Sequence, residues 1–184
     1  MLLLRFLKGP GRAYDEDAAI EALQQGFPHL IDHLRTGRAD HFTADQATRF
    51  DRDEAQRGWV IAKGAIASAL YSVVVLDELT PVLELGLLDI DDVVRTLNNR
   101  PEGMEIIVTG RAAPAALVQG ADLHSEMRAH RRPGMEGDRV IPLSVNSGIE
   151  IYTGEGKGKS TSAFGKALQA LGRGISPSKN NPRV

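Results

Sequence analysis

The stretch that most restricts how this chain folds lies near its C-terminal end. There Ile149-Glu150-Ile151-Tyr152 runs into Gly154-Glu155-Gly156-Lys157-Gly158-Lys159-Ser160-Thr161, and a helical pattern continues from about 159 to 171. An apolar strand, a glycine-rich turn and a helix opening near Lys-Ser bring backbone N–H groups and the positive end of the helix together at one point. Such a cradle suits a phosphate chain, with Lys159 reaching the outer phosphates and the Ser160 hydroxyl placed for Mg²⁺. The general G-x-x-x-x-G-K-[ST] spacing is altered, because Thr153 holds the place of the first glycine and Gly154 sits one residue later. The alternative for the run is a flexible Gly/Lys-rich turn, against which the strand before it and the helix after it both argue.

The rest of the chain alternates in the same way. Leu2 to Leu7 is a short apolar run ending at Lys8-Gly9-Pro10-Gly11, a buried strand entering a loop. Asp15 to Gln25 has helical spacing, and Thr43 with Gln46 reads as a capping box opening a long helix from about 44 to 70. Val73-Val74-Val75-Leu76 is a central strand ending at Asp77-Glu78. A helix over Asp89–Leu97, a strand over Glu105–Thr109, a short helix over Ala113–Gln119 and a further strand over Asp122–Met127 follow. This alternation predicts an α/β protein, a mostly parallel sheet with helices on both faces. We divide it into residues 1–129, an Arg/Pro/Gly-rich connector over 130–147, the strand, loop and helix over 148–175, and a mobile tail over 176–184.

Composition narrows the function classes. With 22 Lys+Arg against 24 Asp+Glu the chain has no global positive field, so nucleic acid and anionic membrane are not expected partners. No segment approaches the ~20 uninterrupted apolar residues of a membrane helix, and Arg5 and Lys8 break the opening apolar run too early for a signal peptide. The absence of cysteine excludes disulfides and thiolate metal sites. A soluble, cytoplasmic chain of one domain is the expectation.

Ligands of α/β sheets bind at the C-terminal strand ends. There Asp77 and Glu78 supply carboxylates able to hold Mg²⁺ directly or through water, and the residues alone do not say which touches the ion. Arg111, after Thr109-Gly110, is placed to contact phosphate or substrate, or is an ordinary surface arginine; Lys8 has the same geometry. Trp59, the one tryptophan, has the helical spacing of a core residue, and the five histidines lack metal-ligand spacing.

Four segments taken together, Thr153 to Thr161, Val74-Val75-Leu76-Asp77-Glu78-Leu79, Val108-Thr109-Gly110-Arg111-Ala112-Ala113-Pro114 and Arg5-Phe6-Leu7-Lys8-Gly9, resemble the P-loop ATP:corrinoid adenosyltransferases of the cobalamin pathway. The likeness covers nearly the whole chain. It implies a P-loop NTPase fold of RecA-like type and transfer of the 5′-deoxyadenosyl group of ATP to a reduced corrinoid, cob(I)alamin or cob(I)yrinic acid a,c-diamide. It further implies Mg²⁺, with Mn²⁺ as the alternative ion, a homodimer, and a reductase as partner. By residue, it implies Lys159 and Arg111 in catalysis, Gly154 to Thr161 and Lys8 around ATP, Ser160 with Asp77 or Glu78 at the metal, and Trp59 towards the corrin. A P-loop ATPase or kinase, or a fragment that binds without turnover, are the other readings.

The order is permuted relative to that family, which begins with the strand and phosphate loop; here they come last. Either the chain is a circular permutant whose 148–175 segment folds back, the connector reaching up to ~60 Å, or it is part of a tandem array. Pro182-Arg183-Val184 read into Leu2-Leu3-Leu4-Arg5 would make one continuous strand, which favours the tandem form.

Overall fold

In the computed structural model, residues 1–10, 15–38, 40–127, 149–154, 158–163 and 165 are described. Six strands form one sheet in the order β2-β1-β3-β4-β6-β5, and every neighbouring pair is parallel. They are β1 (Leu2–Arg5), β2 (Asp32–Arg35), β3 (Val73–Asp77), β4 (Glu105–Thr109), β5 (Leu123–Glu126) and β6 (Ile149–Thr153). The α/β expectation holds. The last of the described strands, β6, lies inside the sheet, between β4 and β5.

The core explains the two-layered cover. Alternate residues of the central strands point to opposite faces. Leu2, Leu4, Val74, Leu76, Ile106, Val108, Ile149 and Ile151 pack on one face with residues of α2 (Arg49–Ser68), α3 (Leu79–Glu84), α4 (Ile90–Asn98) and α5 (Ala115–Gln119). Leu3, Val73, Val75, Ile107 and Tyr152 pack on the other with Ile20 of α1 (Asp15–Gly26) and Ala163. Burying one such aliphatic side chain stabilises by about 2 kcal/mol. A strand apolar on both faces therefore has to lie in the middle of the sheet.

Three elements differ from expectation. The helix expected over 44–70 is split: Ala44–Gln46 is a 3₁₀ turn, with the Thr43 N–H donating to Gln46 Oε1 at 3.1 Å. Helix α2 then starts afresh at Arg49, where the Thr48 N–H donates to Asp51 Oδ2 at 2.8 Å and Asp51 N–H returns to Thr48 Oγ1 at 3.4 Å. That second capping box is the stronger start signal, because Ala47 is extended and cannot carry the helix through. Strand β2 was not expected, since Asp32-His33-Leu34-Arg35 has no apolar run; at the sheet edge its backbone pairs with β1 while its side chains stay partly in water. Helix α3 was also not expected, and it accepts Pro81 because the first turn of a helix has no N–H partner to lose there.

The connector at 130–147 and the tail at 176–184 lie outside the described residues, as do Glu155, Gly156 and Lys157 of the loop. Of the helix expected over 159–171, residues 159–163 and 165 are described, and these are helical.

Candidate nucleotide site

Because all six strands are parallel, Arg5, Asp77, Thr109 and Thr153 end at the same edge of the sheet. Arg5 and Asp77 are register partners, and Asp77 points to the face that also buries Ala163 of the helix after the glycine-rich loop. Asp77 is 1% exposed, and its carboxylate takes donors from three elements. Thr109 Oγ1 donates to Oδ1 at 2.6 Å and Ser160 Oγ donates to the same oxygen at 3.2 Å. Arg5 Nε donates to Oδ2 at 3.3 Å. A carboxylate this far from water requires such donors, since an unpaired buried charge costs far more than one fold-stabilising contact supplies.

The next residue, Glu78, has φ 61° and ψ 29°, a left-handed conformation costly for a side chain with a Cβ. Its N–H donates to Thr109 Oγ1 at 3.0 Å, so the Thr109 hydroxyl fixes both members of the Asp-Glu pair. Burial pushes the Glu78 carboxyl above its usual range, and Asp77 pushes it the same way; Lys8, Lys159 and Arg111 oppose this. One carboxylate thus sits in the field of three cations drawn from three separate strand ends or loops.

Two glycines let these loops approach. Gly154 has φ 109°, its N–H donates to Arg111 O, and a Cβ there would run into the backbone of Met127. A Cβ on Gly110 would collide with Thr80 and Pro81 of α3. The first helical turn closes at once beyond, with Ser162 N–H donating to Gly158 O at 2.8 Å. The arrangement can hold an anionic chain against the helix start, with a hydroxyl and two carboxylates beside it.

The family model for ATP:corrinoid adenosyltransferase BtuR/CobO/CobP matches residues 1–141 and 146–177. The chain belongs to this family. Among relatives of this corrinoid adenosyltransferase family member, "Uncharacterized protein all2391" of Nostoc sp. is 65% identical over 175 residues, 95% of this chain and 45% of that protein. A corrinoid adenosyltransferase of Pseudomonas aeruginosa is 29% identical over 125 residues, 68% of this chain and 59% of its own length. One of Escherichia coli K12 is 35% identical over 104 residues, 55% of this chain and 51% of its own length. The chain spans about half the length of the curated relatives it matches.

For this family member, the structure gathers Lys8, Asp77, Glu78, Arg111, Lys159 and Ser160 at one edge, with Gly154 and Gly158 in the turn between them. Thr161 follows on an exposed helical position. Trp59 is not brought there: it is 1% exposed in the core, and its Nε1–H donates to Asp92 Oδ2 at 2.7 Å. The approach to the corrin that the resemblance implied for Trp59 is therefore not what this packing presents. Its helical spacing had pointed to the core. The residues that sequence reading passed over are Arg5 and Thr109. Arg5 looked like a break in an apolar run, and Thr109 like the end of a β-branched strand. Only the register reveals that both meet Asp77.

Proposed function

We propose that this chain transfers the 5′-deoxyadenosyl group from ATP to the cobalt of a reduced corrinoid, cob(I)alamin or cob(I)yrinic acid a,c-diamide, releasing triphosphate. The observation that carries the proposal is the hydrogen bond from Ser160 to Asp77, which brings a phosphate-loop hydroxyl against the acidic strand end beside Lys8, Lys159 and Arg111. The family of the chain supports the choice of reaction.

In this reaction the electron pair of cobalt(I) attacks C5′ of the ribose. The C5′–O5′ bond breaks, and its electron pair leaves on the triphosphate. No proton is removed from the nucleophile, so no general base is needed. The work left to the chain is to orient the ribose carbon and to stabilise charge on the leaving group. Lys159 faces the outer phosphates from the helix start. Lys8 and Arg111 supply further positive charge from neighbouring strand ends, and the helix that begins at Lys159 turns its positive end to the phosphate chain.

Ser160 Oγ with Asp77 or Glu78 would hold Mg²⁺, or Mn²⁺ in its place. The donor set fits: it is all oxygen, and Ser160 Oγ lies 3.2 Å from Asp77 Oδ1. Among the described residues no group of three or more His, Asp or Glu could hold a metal ion alone. An ion held by one or two protein oxygens completes its shell from phosphates and water. When bound, it supplies charge neutralisation to the departing triphosphate.

The proposal extends to a cytoplasmic homodimer supplied with reduced corrinoid by a reductase, and to residues 130–147 as a connector between 1–129 and 148–175. Its test is product analysis with ATP, Mg²⁺ and cob(I)alamin. Adenosylated corrinoid and triphosphate in equal amounts are expected. ADP and phosphate as the sole products would replace it with an ATPase or kinase. Because the chain spans about half the length of its relatives, nucleotide binding with no product would instead identify a binding unit without turnover.

A further inference from the structure

Arg5 is the least exposed charged side chain among those described, at 0%. It does not pair with one acid but joins two. Its Nε donates to Asp77 Oδ2 at 3.3 Å, and its Nη1 donates to Asp17 Oδ1 of α1 at 2.8 Å. Asp17 in turn accepts from Arg35 Nη1 on Oδ2 at 2.9 Å. The charges alternate along the row Asp77, Arg5, Asp17, Arg35, of which the first two are buried and the last two side chains are 19% and 29% exposed.

The row follows from the register. Arg35, Arg5 and Asp77 are successive partners across β2, β1 and β3, so their side chains share one face at the ligand edge. Two arginines side by side repel, and Asp17 comes down from α1 to bind both. At the inner end the Asp77 carboxylate is held from two sides, Oδ2 by Arg5 and Oδ1 by Thr109 and Ser160. A rotation that frees either oxygen breaks bonds at both. Stability does not by itself account for the row, since a buried ion network is often no more stabilising than apolar residues of similar size.

We propose that Arg5 is a positioning residue for Asp77, and that Asp17 and Arg35 hold Arg5 in turn, so that the start of α1 sets the orientation of the carboxylate on the metal side of the nucleotide site. The inference rests on the reading of Asp77 and Ser160 as part of an ATP and Mg²⁺ site. Arg5 touches neither phosphate nor ion in this scheme. It acts through Asp77.

The test is ATP affinity by calorimetry on the full chain, with and without Mg²⁺, for wild type, Arg5→Met and Asp17→Asn, with melting temperatures alongside. Metal-free affinity is expected to stay within about twofold, while the gain on adding Mg²⁺ shrinks by about tenfold in Arg5→Met, as for other outer-shell partners of metal ligands. Asp17→Asn, which removes one charge at a partly exposed position, should shrink it by about threefold. It also serves if Arg5→Met does not fold. Lower melting temperatures with an undiminished Mg²⁺ gain would make the row a structural ion network and overturn the proposal. Loss of the gain in Arg5→Met alone would confine the role to Arg5 and remove Asp17 from it. A wild-type chain whose ATP affinity does not respond to Mg²⁺ would instead overturn the site reading on which this one stands.

Discussion

The hydroxyl of Ser160 donates to Oδ1 of Asp77 at 3.2 Å across 83 positions of sequence, joining the helix after the glycine-rich loop to the acidic strand end within one chain. Ser160→Ala removes that donor and leaves the loop backbone in place. Under the proposed function, the expected outcome is a fall of about tenfold to a hundredfold in adenosyl transfer, with a higher Mg²⁺ requirement and little change in melting temperature. Triphosphate release measured across a Mg²⁺ titration checks it.

Thr109 serves two bonds with one hydroxyl, donating to Asp77 and accepting from the Glu78 N–H. Thr109→Val keeps the shape and leaves a buried carboxylate oxygen and a backbone N–H short of a partner. We expect a loss of about 1–3 kcal/mol in urea unfolding. Thr109→Ser should return most of it.

Glu78 holds a left-handed backbone conformation with a side chain that disfavours it. Glu78→Gly should therefore keep or raise stability, by up to about 1 kcal/mol, while under the proposed function transfer activity falls. Opposite signs in a thermal melt and a product assay would mark strain kept for function. A drop in both would mean that the carboxylate also holds the fold together.

Asp92 accepts from the Trp59 Nε1–H, from Lys63 Nζ and from Arg95 Nη2. The Trp59 bond and then the Lys63 bond hold its carboxyl well below the usual range, at about 2. A depressed folded-state value means stability that is present above the ordinary aspartate range and is lost as pH falls towards 2. Asp92→Asn should accordingly destabilise the chain at neutral pH, and the difference from wild type should close between about pH 4 and pH 2. Trp59 is the single tryptophan and is buried, so its fluorescence reports the unfolding directly.

What the sequence determined by itself is the class and the chemistry of the edge. The four-residue apolar run at 73–76 is long enough for a strand and apolar on both faces, which demands a central, doubly covered position. Gly154 to Ser160 carries its resemblance to a phosphate-binding loop in local spacing, because the glycines, the lysine and the serine are neighbours in sequence. The breaks came where local signals are weak or compete. The edge strand Asp32–Arg35 has no apolar period because water meets its side chains, and the 44–70 helix divides because Thr48 and Asp51 form the better cap.

Only the tertiary structure decided which of these segments meet. Placing β6 between β4 and β5 sets Ser160 against Asp77, and the register of β1, β3 and β4 brings Arg5 and Thr109 onto that carboxylate. Trp59 went to the core and away from that edge for the same kind of reason, since the turn of α2 on which it lies faces the sheet. Contacts between residues 32 to 83 positions apart depend on strand order and register, and neither is written in the local pattern of a single strand.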